Sequence, residues 1–284
     1  MKQNFFIILI LIAGILLISP LSALAADDAE GKTIVETTKE KKGIVPQSLP
    51  SNEQKEKQDP KGLRSQNQQS VPPVNTPVYQ PPLRGAPGGR VGGGTRGIGD
   101  ELTTLFALAV LAPNHVGLTV QEQPTLYWYL SKPMNLQIEV TVIEDQAISP
   151  LLEKQISVPI QPGIHRIRLA DYGISLSLGK QYRWFMAAVP TAGRRSKDII
   201  AGGIIERVES SEALRVKLSQ ADKLNIPYIY AESGIWYDTI MAISELIEAN
   251  PKDMNLRIQR AALLEQVGLS QVAQYEVKQS GAAK

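Results

Sequence analysis

Residues 136–142 alternate apolar and polar side chains in strict period two, as a strand with one buried face should. Similar signals recur on both sides of it. Residues 116–120 come after a Pro-Asn turn, and residues 125–130 form an aromatic, branched run bounded by Pro124 and Ser131. Residues 152–160 alternate weakly and end at Pro162 and Gly163, and residues 164–169 continue at once. Residues 181–189 read as a central strand, and residues 199–200 with 203–208 read as the last. Residues 102–113 are apolar and short, so periodicity leaves a first strand or a helical turn open.

Seven short strands separated by turn residues predict a β-sandwich over residues 102–209. The stretch Leu176, Leu178, Gly179, Tyr182 and Trp184 resembles the tyrosine corner of immunoglobulin-like and fibronectin type III domains. There, a tyrosine near the start of a late strand bonds back to upstream backbone. Trp128 is its natural core partner. Without cysteines the fibronectin-like form fits better than the antibody-like one.

After Glu209 the pattern turns helical, giving a mainly β plus α chain. Ser210 or Ser211 can cap a helix over residues 212–224, and Asn225 and Pro227 interrupt the helical pattern after it. Gly234 and Gly268 stand 34 residues apart, the period of the tetratricopeptide repeat. Tyr230 and Leu264 each precede their glycine by four residues, and Pro251 closes the first unit. Pro227, Thr239 and Arg257 depart from the repeat. Two such units bury too little surface alone, so residues 210–284 are expected to dock on the sandwich.

The N-terminal third has another character. Lys2, an apolar run from Phe5 to Ile18, Pro20 and the small-x-small Ala23-Leu24-Ala25 have the layout of a secretory signal peptide over residues 1–25. The run is shorter than the roughly 20 residues that span a bilayer. Residues 26–78 balance eight acids against eight bases with few apolar residues, the composition of a disordered tether. Residues 79–101 are an Arg/Gly/Pro-rich arm. Arg84, Arg90 and Arg96 sit among glycines with no acid up to Gly99, as a linker or as a contact for an anion or an acidic surface. Neither a Walker-type lysine nor a strand-helix frame accompanies the glycines.

Composition narrows the chemistry. The 284 residues include no cysteine and two histidines, which excludes disulfides, thiol catalysis, Cys-ligated metals and a lipid-modified cysteine. A net charge of +2 argues against a broad nucleic-acid surface. The polar candidates His165, Asp171, Ser196, Asp198, Glu206 and Asp238 form no convergent catalytic pattern, and no cofactor is expected.

Several stretches together resemble one family. They are Tyr79-x-Pro-Pro-x-Arg84-Gly, Arg90-Val-Gly-Gly-Gly-Thr-Arg96-Gly, Leu111-Ala-Pro-Asn-His115-Val-Gly-Leu-Thr119, Pro124-Thr-Leu-Tyr-Trp-Tyr129, Gly163-Ile-His-Arg-Ile167, Tyr182-Arg-Trp-Phe185 and Gly234-Ile-Trp-Tyr-Asp238. This set resembles domain-of-unknown-function family 928, over roughly residues 79–275. The resemblance implies an exported protein and carries no activity. The expectation is a periplasmic or extracellular, non-enzymatic module that binds another envelope protein, without nucleic acid or a membrane anchor after signal cleavage. Arg84, Arg90, Arg96, Trp236 and Tyr237 are the candidate binding residues. Trp128, Tyr182, Trp184, Gly234 and Gly268 are structural. A glycan- or small-ligand site would instead need exposed rings at Trp128, Tyr129 or Trp184. A hydrolase would need an acid, a base and a nucleophile in one pocket.

Overall fold

The computed structural model describes residues 75–82, 89–92 and 106–281. The signal-like segment, the tether up to residue 74, Arg84 and Arg96 lie outside the described residues. Among the described residues, eight strands and five α-helices make a mixed β plus α fold with two sheets. The strands are β1 (Leu108–Val110), β2 (Gly117–Thr119), β3 (Thr125–Leu130), β4 (Gln137–Glu144), β5 (Leu152–Ile156), β6 (Gly163–Arg168), β7 (Gln181–Val189) and β8 (Ile199–Arg207). The helices are α1 (Glu212–Ser219), α2 (Ile226–Glu232), α3 (Trp236–Ala249), α4 (Met254–Gln266) and α5 (Ser270–Gln279).

One sheet runs β1-β3-β6 and the other β2-β8-β7-β4-β5. All pairings are antiparallel except β2 with β8, which is parallel. Residues 102–113 therefore contribute a strand over their second half. The weak alternation after residue 152 supports only a five-residue strand, with Ile160 meeting Met134 in a single bridge.

Most buried residues of both sheets and of α3 to α5 belong to one continuous apolar cluster, while Leu214, Tyr230, Ile235 and Ala242 form a smaller second one. Every residue of β3 is buried, and the register shows why. Leu126, Trp128 and Leu130 share a face with Ile167 and Val110. Tyr127 and Tyr129 share the opposite face with Ile164 and Arg166, and that face is covered by helices. Arg166 pairs with Glu248 of α3, and the Tyr129 ring meets Tyr275 of α5 at 5.2 Å. A strand buried on both faces reads as a continuous apolar run rather than an alternating one.

Tyr182 makes the back-bond its position suggested: its hydroxyl accepts the Ser177 N–H at 3.0 Å. Ser211 caps α1, accepting the Leu214 N–H. Pro227 does not interrupt a helix. It occupies the first turn of α2, where a missing N–H costs nothing. Gly234 and Gly268 end α2 and α4 with φ of +73° and +72°, the left-handed conformation that glycine adopts without penalty. The 34-residue spacing is thus the spacing of two interhelical turns.

Candidate functional site

The described part of the arm is stitched to the body. Gln80 N–H donates to Ala231 O, and Tyr79 N–H to Gln266 Oε1 at 2.8 Å. Gln266 Nε2 returns a bond to Pro77 O. Tyr79 stands edge-on to Trp236, stacks beside His115, and shares a 2.9 Å hydrogen bond with His115 Nε2. Burial pushes the Tyr79 hydroxyl above its ordinary value and His115 below its own. Farther along, Val91 exchanges backbone bonds with Gly202.

Arg90 is occupied in the same way. Its guanidinium donates to Ala112 O, Val267 O and Gly268 O at 3.1, 2.9 and 3.2 Å. Two of these carbonyls end α4, where backbone acceptors lack intrahelical partners and a cation is favoured. Both turn glycines also touch this strap. A Cβ on Gly234 would lie 2.7 Å from Gln80 O, and one on Gly268 would lie 3.7 Å from Arg90 Nη2.

Trp236 and Tyr237 are buried at 0% and 2% exposure. Trp236 Nε1 donates to Leu111 O at 2.8 Å. The Tyr237 hydroxyl accepts from Trp184 Nε1 at 2.9 Å and donates to Ile204 O at 3.0 Å. These rings fasten α3 to both sheets, so they do not present a surface to a partner. Trp128, Tyr129 and Trp184 are buried too and form no exposed platform.

The polar candidates are separately engaged. His165 stacks on Trp128 and bonds to Gln161 O. Asp171 pairs with Arg168, Asp198 with Arg195, and Glu206 accepts from Gln181. Ser196 lies in the short 3-10 turn before β8. Asp238 is buried against β2, accepting from Val120 N–H at 3.3 Å and bonding to the Thr119 and Gln121 side chains. Desolvation raises its pKa from 3.8 to about 6. Its Oδ1 has no hydrogen-bond partner among the described residues.

A further concavity lies elsewhere. A groove of about 770 Å³ runs between residues 106–110 and α5. Ala107 O accepts from Ser131 N–H, and Leu111 N–H donates to Tyr127 O. Odd-numbered residues here thus turn their backbone toward β3, and alternation turns the N–H and C=O of Leu108 and Val110 toward the other edge. Among the described residues no strand pairs with that edge. Among the described residues the groove is lined by Arg90, Lys132 and Lys278, by Ser131, and by Ser270, Gln271 and Gln274 of α5, and by no acid. Sequence reasoning missed it, because β1 is three residues long and its facing helix lies about 160 residues farther along.

The fold and this groove place the protein among two-sheet β domains with an integral helical region. The chain belongs to the Domain of Unknown Function (DUF928) family, whose model matches residues 91–277. The match begins at Val91, so Tyr79, Arg84 and Arg90 precede it and Arg96 lies within it. No curated protein matches the chain. Among solved structures, a multi-domain immunophilin from Arabidopsis thaliana is similar at 6% identity, covering 62% of this chain and 93% of that one, with a TM-score of 0.20. That superposition is too poor to bear on fold or function. No described helix is long and apolar enough to cross a membrane.

Proposed function

We propose that the protein is a non-enzymatic interaction module of the cell envelope, which takes up an extended, acidic segment of another protein in the groove beside β1. The observation behind this reading is the edge of β1, which pairs with no strand among the described residues and faces a groove whose described lining carries bases and no acid. An extended peptide adds to such an edge through main-chain bonds, while its side chains choose the partner. The buried state of Trp128, Tyr129 and Trp184 removes support from a glycan platform. The signal-like residues 1–25 support export to the periplasm or beyond.

We read the sheets as a sandwich of immunoglobulin type. The support is the split of β1 and β2 between sheets, the parallel β2–β8 pair and the Tyr182 back-bond. The tetratricopeptide-like reading of the helices rests on the repeated turn glycines alone.

The test uses an acetylated, amidated peptide of alternating valine and glutamate, titrated by fluorescence anisotropy. The matching valine-lysine peptide is the control. Lys132 and Lys278 are exposed, so Lys132→Glu with Lys278→Glu leaves the fold intact. Two exposed charge contacts reversed at about 0.5–1 kcal/mol each weaken binding by about tenfold. Equal binding of both peptides, or of wild type and the double variant, rejects the reading.

A further inference from the structure

A second, smaller pocket of about 250 Å³ lies where β6, α3, α4 and α5 meet. It is independent of the groove, although Tyr275 borders both. Its charged lining holds three arginines and two glutamates. Two of the arginines are engaged. Arg166 bonds to Glu248. Arg260 donates through Nε and Nη2 to Glu276 Oε2 at 3.1 and 2.9 Å, and through Nη1 to Ser244 Oγ at 2.9 Å.

Arg257 is different. Its Nη1 stands 3.6 Å from Glu276 Oε1, an ion pair too long for a hydrogen bond. Among the described residues nothing accepts a hydrogen bond from its guanidinium, and its side chain is only 23% exposed. A guanidinium carries five donors in a planar fork, and withdrawing them from water without acceptors is costly. The group that satisfies such a fork best is a planar, bidentate carboxylate. The pocket's excess of one positive charge is what a monoanion would neutralise. Its volume admits a ligand of about the size of an amino acid, taking roughly 30 Å³ for each water displaced. Ile164, Ile247 and the rings of Tyr127 and Tyr275 supply an apolar wall for the ligand's body.

We propose that this pocket binds a small carboxylic acid, with Arg257 as its anchor. The carboxylate takes the free side of the Arg257 fork while Glu276 holds the other, and the buried Arg260–Glu276–Ser244 network keeps that fork in place. A free small acid is the occupant, since the volume of about 250 Å³ matches a body of this size.

The probe is benzoate, with benzamide as its neutral counterpart, titrated into the full chain and tracked by NMR shifts of the Tyr275 ring and the arginine Nε–H groups. Benzoate should produce saturable shifts at Tyr275 and Arg257 in the millimolar range, and benzamide none. Arg257→Lys keeps the charge without the fork and should weaken benzoate by about tenfold. Arg257→Gln should abolish the response. If Arg257→Gln does not fold, the lysine variant and the benzamide comparison still decide. Equal responses to benzoate and benzamide, or unchanged binding in the lysine variant, overturn the proposal. A response to an acidic peptide with none to benzoate also overturns it.

Discussion

Asp238 offers the sharpest test of how α3 is held. Its carboxyl is buried under β2, and desolvation lifts its pKa from 3.8 to about 6 despite the Val120 N–H and the Thr119 and Gln121 side chains that favour its charged form. The folded state therefore holds this proton where the unfolded chain releases it. Below about pH 3.8 both states are protonated and the group has no pH-dependent cost. As pH rises through the interval up to about 6, the unfolded state ionises first and stability falls. Above it the loss is complete. The distance from 3.8 to about 6 is worth about 3 kcal/mol, at roughly 1.36 kcal/mol per tenfold. Asp238→Asn keeps the shape and an acceptor for Val120 N–H but does not titrate. Urea unfolding of both proteins from about pH 4 to about pH 7 gives the difference in unfolding free energy, in which every other carboxylate cancels. The variant should gain on wild type across this range, by about 2.5 kcal/mol between about pH 4 and about pH 7. A difference that stays flat, or one that shrinks as pH rises, refutes the assignment.

Two further substitutions probe the body. Gly203→Ala places a Cβ 2.5 Å from the Ala112 Cβ and 3.1 Å from Trp184 Nε1, and overpacking should cost about 1–3 kcal/mol in the same urea assay. Arg260→Met leaves the buried Glu276 carboxylate without its main partner and should cost about 3–5 kcal/mol. Pairing it with Glu276→Gln should recover part of that loss, because the stranded charge is gone.

Much of the sheet was legible because each signal was local. The alternation of residues 136–142 marks β4, and the run 125–130 marks β3. Tyr182 finds the Ser177 N–H only five residues upstream, so its spacing was enough. The cap at Ser211 and the turns at Gly234 and Gly268 are local in the same sense. Pro227 misled because a proline looks alike in a helix interior and in a first turn, and only the next helix's start separates them.

The candidate binding residues were less legible. An arginine among glycines looks free to bind, and its acceptors at Val267 and Gly268 lie 177 and 178 residues away. Trp236 and Tyr237 look like an aromatic surface until Leu111 O and Trp184 Nε1 are brought to them.

The amino-acid sequence by itself determined the position of most strands, the Ser211 cap, the turn glycines and the absence of any cysteine to staple them. These come from composition, period and backbone chemistry over a few residues. The tertiary structure alone decided that the arm's Arg90 is a clasp, that both faces of β3 are covered, and that, among the described residues, the β1 edge and Arg257 face open pockets. Those outcomes depend on which distant donors and acceptors meet. A hydrogen bond satisfied across the fold leaves no mark on the residues beside it in the chain.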